Sequence, residues 1–390
     1  MSSIVTDFVP FHRASIGSEE IEAVVEALQS GWLTTGPRVQ EFESAFSRFV
    51  NARHAVAVSS CTAALHLALA AIGVSEGDEV IVPAMTFAAA GEVALHLRAR
   101  PVLVDSAPGS HHLDPGAVEK AITRRTKAIL PMHHAGAPCD MDRILEIARR
   151  HNLKVIEDAA HALPAWHRGR MVGALGDITC FSFYATKTIT TGEGGMATTE
   201  NEEYAERMRM LRLHGISRDA WRRDAAEDSW RYDILEPGYK YNLTDIQAAL
   251  GLVQLRKCEA MRARREIIAG RYTRALASLG AFEAPETPPE GDCHAWHLYV
   301  VRVNASALRI GRDEVIEELK KRGIGTSVHF IPLHLHRLYQ ERLGYRRGQF
   351  PNAERCFEAS ISLPIYSGMT DQESDRVVEA LQDVERQFRR

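Results

Sequence analysis

The sequence predicts an α/β protein with a large, mostly parallel sheet and a smaller C-terminal α+β domain. Between residues 54 and 158, short apolar stretches alternate with helical patterns. Most of these stretches are continuous apolar runs, which are typical of strands buried on both faces of a parallel sheet. Further along, a long helical pattern ends near residue 280 in a linker with three prolines, and a different pattern of elements follows.

Two amphipathic helices precede the alternating region. The first begins at Ser18 and stops at Gly31, and the second has apolar residues at helical spacing between Val39 and Phe49. The alternation then predicts strands separated by helices. We predict strands at 54–60, 79–83, 101–105, 127–132 and 154–157, and helices at 62–72, 87–97, 115–122 and 140–151.

The second half of the chain predicts one more pair of strands in the large sheet, followed by a smaller domain. A buried strand at 178–184 enters a Thr- and Gly-rich loop, and a strand at 196–199 returns from it. Since the next long helix could join two units, we predict a large domain over 1–255 and a small domain over 256–390. The remaining predictions are helices at 202–214, 246–279, 312–321 and 371–389, strands at 297–303 and 323–330, and a loop at 215–232.

Composition and charge argue against several classes of function. The 390 residues are 45% hydrophobic and 25% charged, with a formal net charge of −4. Lys and Arg are scattered, so the chain lacks the basic surface that nucleic-acid binding requires. Residues 1–10 have neither the basic nor the apolar segment of a signal peptide, and no apolar run could span a bilayer. We therefore expect a cytoplasmic protein without nucleic-acid or membrane partners.

The cysteines and histidines do not follow metal-binding patterns. The six cysteines show no CxxC spacing, which indicates reduced thiols. Two adjacent histidine pairs, at 111–112 and 133–134, are not part of an HExxH motif. We therefore expect no metal, and we favour structural or substrate-binding roles for the histidines.

Lys187 is the main chemical signal in the sequence. It follows the buried strand at 178–184 and precedes the Thr- and Gly-rich loop. Burial disfavours the ammonium form of a lysine and lowers its pKa, and a neutral amine is what a carbonyl cofactor needs. Ser182, five residues earlier, could reach the phosphate of the same cofactor. Lys187 is thus a candidate lysine for pyridoxal 5′-phosphate (PLP), and the alternative is a surface lysine in a loop.

Other strand ends offer groups that suit the same cofactor, because ligands of parallel sheets bind beyond the carboxyl ends of the strands. Cys61 and Thr62 begin a helix whose free N–H groups suit a phosphate, although Ser60 or Thr62 could simply cap that helix. Phe87 could stack on a planar ring or lie in the core. Asp158 could pair with a protonated pyridine nitrogen or cap the following turn.

These positions lie in stretches that resemble the DegT/DnrJ/EryC1/StrS family of sugar aminotransferases nearly from end to end. Matching stretches include 59–66, 156–162, 181–195 and 238–251. HAGAP at 134–138, EDAAHA at 157–162 and PGYKYNLTDIQAA at 237–249 are most similar to the subfamily that makes UDP-4-amino-4-deoxy-L-arabinose. The resemblance implies the architecture of fold type I PLP-dependent transferases, which is aspartate-aminotransferase-like.

The resemblance also implies an activity. The chain would be a PLP-dependent transaminase that moves the amino group of L-glutamate to a nucleotide-linked 4-keto sugar, with UDP as the nucleotide. Pyridoxamine 5′-phosphate (PMP) would form in the cycle. The product would serve cell-surface polysaccharide, lipid A or glycoside biosynthesis.

The family further implies roles for single residues. Lys187 would hold PLP covalently and move the proton, while Asp158 would pair with the pyridine nitrogen. The ring would be contacted by Phe87 and His161, and its phosphate by Cys61, Thr62 and Ser182. A partner subunit would reach this phosphate site with Lys240 and Asn242, so the active unit would be a homodimer. The candidate substrate-binding residues are Trp32, Thr34 and His329.

Departures from the family pattern leave alternatives open. Cys61 stands where many members have Gly, and Lys240 and Asn242 replace the Asn and Arg of a GYNYR-like segment. His329 could be a structural histidine.

Three alternative functions also stay open. They are amination at C3, removal of a sugar hydroxyl with PMP, and the role of a regulatory PLP-binding protein. The family members that remove a hydroxyl have His in place of the lysine, and no DNA-binding motif supports a regulator.

Overall fold

The computed structural model describes residues 8–217 and 232–390. Its strands and helices follow the predicted alternation, with differences mainly in the C-terminal third. The strands are β1 (His54–Val58), β2 (Glu79–Pro83), β3 (Arg100–Val104), β4 (Thr126–Ile129), β5 (Lys154–Asp158), β6 (Trp166–His167), β7 (Arg170–Met171), β8 (Ile178–Ser182), β9 (Gly195–Thr199), β10 (Phe282–Glu283), β11 (Tyr299–Val303) and β12 (Ser360–Leu363).

The helices surround these strands. They are α1 (Ser18–Gln29), α2 (Pro37–Phe49), α3 (Cys61–Ala71), α4 (Ala88–His96), α5 (Pro115–Ala121), α6 (Met141–His151), α7 (Glu202–Leu211), α8 (Asp245–Leu276), α9 (Arg312–Lys321), α10 (Arg337–Leu343), α11 (Pro351–Ala359) and α12 (Asp371–Phe388).

The large sheet confirms the predicted fold class. Its seven strands lie in the order β1-β9-β8-β5-β4-β2-β3. The pairs β2–β3, β2–β4, β4–β5 and β5–β8 are parallel, whereas β9 runs antiparallel to both of its neighbours. The carboxyl ends of β1, β2, β5 and β8 therefore open toward the same edge of the sheet.

The two faces of this sheet are covered by two different hydrophobic clusters, because successive side chains of a strand point to opposite faces. In β1, Val56 and Val58 pack on the side of α3 and α4, whereas Ala55 and Ala57 pack on the side of α2, α6 and the start of α8. Burial on both faces explains why these strands are continuous apolar runs in the sequence.

Helix α8 connects this layered region to a third cluster. It is 32 residues long, about 48 Å at 1.5 Å per residue. Its first half supplies Leu252 and Leu255 to the sheet cluster, and its second half supplies Ile268 and Tyr272 to a cluster around the antiparallel sheet β10-β11-β12. The domain boundary at 255/256 within this helix stays a prediction.

The start of α8 also fixes the start of α2. The buried carboxylate of Asp245 accepts hydrogen bonds from the backbone N–H groups of Gly36 and Val39 through Oδ1, at 2.8 and 3.0 Å, and of Arg38 through Oδ2, at 3.1 Å. The N-terminus of α2 has no cap from its own Gly36, so a carboxylate about 200 residues away satisfies its free donors.

The predicted strand at 323–330 is wrong. In the structure, Ile324 forms an isolated bridge with Val9, and Ser327 forms another with Ser362 at the end of β12. Because each of these two residues meets a different segment, no continuous ladder forms. The sequence also did not predict α10, α11 or β12, and residues 218–231 of the predicted loop at 215–232 lie outside the described residues.

Much of the segment from α10 to α11 packs on the large sheet. Tyr339, Phe350 and Cys356 belong to the cluster that contains α3 and α4, although the sequence placed them in the small domain. The N-terminal segment crosses in the opposite direction, since Val9 is buried in the cluster of the C-terminal sheet.

We expect Gly195→Ala to destabilise the fold. Gly195 lies in β9 opposite Val58 and Ser182, and a Cβ there would lie 2.5 Å from the carbonyl carbon of Ser60 and 2.7 Å from the backbone nitrogen of Cys61. Because backbone cannot move aside cheaply, the free energy of unfolding should fall by about 1–3 kcal/mol, as in overpacked cores.

Urea unfolding measures this change. Gly368→Ala is the control, because a Cβ at Gly368 meets no atom within 4 Å. An unfolding midpoint of Gly195→Ala equal to that of the control would contradict the close approach of β9 and α3.

Candidate active site

A cavity of about 310 Å³ lies at the carboxyl edge of the large sheet. It brings together most of the residues predicted to hold PLP, and they come from four separate strand ends. The predicted residues that line it are Cys61, Thr62, Phe87, Asp158, His161, Ser182, Lys187 and His329.

One end of the cavity suits an anion. Ser60 caps α3, since its Oγ accepts a hydrogen bond from Ala63 N at 3.0 Å. Thr62 is exposed, and no contact of its hydroxyl is recorded in the described part of the chain. The alternative of a simple cap therefore holds for Ser60, while Thr62 and the N-terminal N–H groups of α3 are available to a phosphate. Ser182 closes this end, and its Oγ accepts from Tyr184 N at 3.3 Å.

The loop after β8 places Lys187 over this edge. Lys187 N donates to Tyr184 O at 2.9 Å and forms a turn, and Thr191 N donates to Phe183 O at 3.0 Å. The Thr190 hydroxyl also donates to Phe183 O, at 3.0 Å. The Thr- and Gly-rich sequence thus folds the loop back on the end of the strand, and Lys187 becomes partly buried in the cavity wall.

The charges of Lys187 and Asp158 are adjusted by this environment. Burial lowers the pKa of Lys187 to about 8, and nearby Asp158 and Cys61 oppose that shift. Burial likewise raises the pKa of Asp158, against the Ala160 N–H and the Lys187 ammonium. At pH 7 about a tenth of Lys187 is therefore a free amine, a far larger fraction than for a lysine in water.

Asp158 is only 3% exposed at the end of β5. Its Oδ1 accepts a hydrogen bond from Ala160 N at 3.0 Å, so the predicted alternative of a turn cap is also present. Among the described residues no donor is recorded for its Oδ2. A buried carboxylate with an unused oxygen beside the cavity calls for a cationic partner, and a protonated pyridine nitrogen is such a partner.

The adjacent residue, Glu157, points to the other side of β5 and anchors it. Its Oε1 accepts from Gly176 N and from the Thr179 hydroxyl, both at 2.7 Å, and its Oε2 lies 2.9 Å from His133 Nε2. His133 Nδ1 accepts from Cys139 N at 3.0 Å, so the hydrogen of this imidazole is on Nε2 and is donated to Glu157.

The orientation of His161 is fixed by the backbone. Ala135 N donates to His161 Nδ1 at 3.2 Å, so the neutral ring carries its hydrogen on Nε2. Burial, with Lys187 as the next cause, holds the pKa of His161 well below its usual value. His161 thus presents a neutral N–H donor, which suits the ring hydroxyl of PLP.

Phe87 is not a core residue, since it is 56% exposed at the start of α4. Its ring lies 5.7 Å from that of Phe330. The lining residues that the sequence did not predict include Phe330, Phe11, Glu193 and His297. His297 could have been predicted as a site residue, because a polar residue just before the apolar run of β11 is unusual. Phe11 could not, because it lies in an irregular segment without periodicity.

The structure does not bring the remaining predicted residues into this cavity. Trp32 Nε1 donates to Thr35 O at 3.1 Å, and Thr34 is exposed next to it. Lys240 donates to Asn242 Oδ1, and Asn242 donates to the Thr35 hydroxyl at 2.8 Å. These residues therefore do not complete the site of their own subunit.

Possible metal ligands and membrane-spanning helices can be examined over residues 8–217 and 232–390. Over these ranges no group of three or more His, Cys, Asp or Glu side chains has the arrangement of a metal site. No helix in the same ranges is long and apolar enough to cross a bilayer. All six cysteines are free, and five of them are buried.

The chain belongs to the DegT/DnrJ/EryC1/StrS aminotransferase family, whose model matches residues 14–382. It is 53% identical over 377 residues to the uncharacterized protein MJ1066 of Methanocaldococcus jannaschii. It is 49% identical over 378 residues to the spore coat polysaccharide biosynthesis protein SpsC of Bacillus subtilis. In both comparisons 97% of each chain is covered.

Among solved structures, the chain is similar to Spr1654 from Streptococcus pneumoniae, which is assigned as a sugar aminotransferase. Its PMP-form and PLP-form are both 36% identical, with a TM-score of 0.91, and cover 97% of this chain and 98% and 99% of the solved chains. These matches confirm the predicted family and fold, and they support the predicted cofactor. The cavity fits that cofactor, with an open helix N-terminus, an unpaired buried carboxylate and a lysine of lowered pKa.

We expect the capture of PLP by the cofactor-free protein to depend on pH with a midpoint near 8. Only the deprotonated amine of Lys187 reacts with the aldehyde, and its pKa is about 8 and not the ordinary 10.5. Stopped-flow absorbance from pH 6 to pH 10 measures the rate of capture.

Asp158→Asn is the matched variant for this experiment. The Asp158 carboxylate raises the pKa of Lys187, so its loss should move the midpoint below that of the wild type. A wild-type rate that still rises with the pH dependence of an ordinary lysine would contradict the burial of Lys187.

Proposed function

We propose that this chain is a PLP-dependent sugar aminotransferase that moves the amino group of L-glutamate to the 4-keto group of a UDP-linked sugar. The observation that carries this proposal is the meeting of Lys187, Asp158, Thr62 and Ser182 in one cavity. Membership in the aminotransferase family supports the reaction type. The similarity to SpsC supports a role in cell-surface polysaccharide biosynthesis, with lipid A or another glycoside as related products.

The central step is a proton transfer by Lys187. When PLP is bound, it supplies an aldehyde that takes up the amino group and a ring that withdraws electrons from the reacting carbon. Lys187 Nζ would take the proton from the α-carbon of glutamate and would return it to the carbon that carried the aldehyde of the cofactor. With the keto sugar the same nitrogen moves the proton in the opposite direction.

The other residues hold the reacting groups in place. Asp158 keeps the pyridine nitrogen protonated, because a buried carboxylate is stabilised by a cation at its free oxygen. Thr62, Ser182 and the N-terminus of α3 hold the phosphate. Phe87 and His161 line the same cavity and would contact the ring.

We further propose that the active unit is a homodimer with shared active sites. Several large apolar side chains near the cavity and the first helix are exposed, which is typical of an interface. Lys240 and Asn242 are outside the cavity of their own subunit and are available to a partner's phosphate site. The exposed apolar residues are Phe8, Ile16, Ile21, Val25, Leu28, Trp32, Leu33, Tyr184 and Ile331.

The proposed location is the cytoplasm. Six free cysteines, five of them buried, suit a reducing compartment.

Trp32 and Thr34, which lie away from the cavity, would contact substrate only from a partner subunit, whereas His329 lines the cavity of its own subunit.

Incubation with ¹⁵N-labelled L-glutamate and a UDP-4-keto sugar should transfer the label to the sugar. Mass spectrometry should then find the UDP-linked amino sugar and 2-oxoglutarate in equal amounts. Lys187→Ala should form neither, because no other amine in the described cavity replaces its Nζ. Transfer by Lys187→Ala at the wild-type rate would contradict the mechanism, and 2-oxoglutarate without labelled sugar would contradict the proposed acceptor.

Shared sites can be tested by mixing two impaired variants. Lys187→Ala removes the amine of one site, and Lys240→Ala removes the group offered to the partner's site. After subunit exchange, half of the dimers are hybrids with one intact site, so the mixture should recover about a quarter of the wild-type activity. A mixture no more active than its components would contradict shared sites.

A further inference from the structure

His297 is a buried side chain in the cavity wall to which the mechanism above gives no role. It is 5% exposed and lines the cavity. Its Nδ1 is buried and has no hydrogen-bond partner among the described residues. A buried imidazole nitrogen without a partner is costly, and such groups in native proteins usually have a reason.

Two unusual backbone turns place His297 against His161. Trp296 has φ +51° and Ala135 has φ +59°, which are positions that non-glycine residues rarely adopt. The turns are tied together, since Ala295 N donates to Gly136 O at 2.9 Å and Leu298 N donates to Ala135 O at 3.1 Å. The rings of His297 and His161 consequently lie with centroids 4.4 Å apart.

Arg265 holds the turn of His297 from behind. This residue of α8 is 1% exposed, and its Nη1 donates to the carbonyl oxygens of Trp296 and His297 at 3.3 Å and of Ile365 at 2.8 Å. Among the described residues no carboxylate pairs with this guanidinium. Arg265 is therefore a positioning residue that fixes the loop and adds a positive charge beside it.

The surroundings keep His297 neutral. Burial lowers its pKa well below the usual value, and Lys187, Arg265, His329 and His12 act in the same direction. His329, also in the cavity wall, has its pKa lowered to about 4 by burial and by Lys187. The described lining of the cavity contains no arginine, so this wall offers neutral imidazoles and no fixed cation apart from Lys187.

We propose that His297 binds a hydroxyl group of the sugar acceptor, beside His161 in the cavity wall. This inference rests on the proposed function and names the contact that recognises its sugar.

The chemistry of a neutral imidazole favours a hydroxyl over a carboxylate. A neutral imidazole has one N–H donor and one nitrogen acceptor, and a hydroxyl is likewise both donor and acceptor. A carboxylate only accepts, so it can use the N–H of the ring but not its acceptor nitrogen. A hydroxyl can pair with either nitrogen, so we expect His297 to contribute more to binding the sugar than to binding glutamate.

Calorimetry of the PLP-loaded enzyme tests this assignment without turnover. The probes are UDP-glucose, whose C4 hydroxyl cannot react with an amine, UDP alone, and glutarate as a dicarboxylate without an amino group. For the wild type we expect UDP-glucose to bind more tightly than UDP. In His297→Leu, which has a similar volume and no nitrogen, the affinity for UDP-glucose should fall about tenfold, as for a lost buried hydrogen bond.

The affinities for UDP and glutarate should be unchanged in His297→Leu. His297→Asn retains a donor and an acceptor and should recover part of the lost affinity. His336→Leu, at an exposed histidine, is the control and should match the wild type. Should His297→Leu fail to fold, His297→Ala carries the same expectation.

The outcomes separate this inference from the proposed function. Equal affinity of His297→Leu and wild type for UDP-glucose overturns the inference alone, as does a matching loss of glutarate binding. A wild type that binds neither UDP-glucose nor UDP overturns the proposed acceptor, and the hydroxyl contact with it.

Discussion

The burial of Lys187 beside Asp158 is the constraint on which the rest of the active site depends. An amine and a carboxylate lie at the edge of a sheet that is buried on both faces. Burial lowers the pKa of Lys187 and raises the pKa of Asp158, so it favours the neutral form of each group. Each group can therefore bind a ligand that carries a chemical group complementary to it. A carbonyl carbon suits the amine, and a protonated ring nitrogen suits the carboxylate.

The fold meets this constraint by bringing strand ends that are distant in sequence to one edge. Parallel strands place the ends of β1, β5 and β8 together, and the absent side chain at Gly195 lets the start of α3 approach the sheet. Hydrogen bonds between the turns at Ala135 and Trp296 then close the opposite wall with imidazoles. One wall thus offers groups that suit a phosphate, and the other presents neutral imidazoles.

The parts that the sequence predicted are those governed by local patterns. Continuous apolar runs predicted the parallel sheet. The position of polar residues at the ends of these runs predicted that Thr62, Asp158, Ser182 and Lys187 would lie near one edge of the sheet. The sequence did not predict His297 or Phe11, because their place in the cavity depends on contacts between distant turns. The strand expected at 323–330 is absent, since apolar character alone does not supply a partner strand. Trp32, Thr34, Lys240 and Asn242 do not line the cavity, and their predicted contacts with ligands stay predictions.

We infer that Lys187 is the residue that holds the cofactor. Reduction of the PLP-loaded protein with borohydride, followed by proteolysis and mass spectrometry, measures this directly. We expect a phosphopyridoxyl group on the peptide that contains Lys187 and on no other lysine peptide. A label on a different lysine, or a loaded protein without any label, would contradict it.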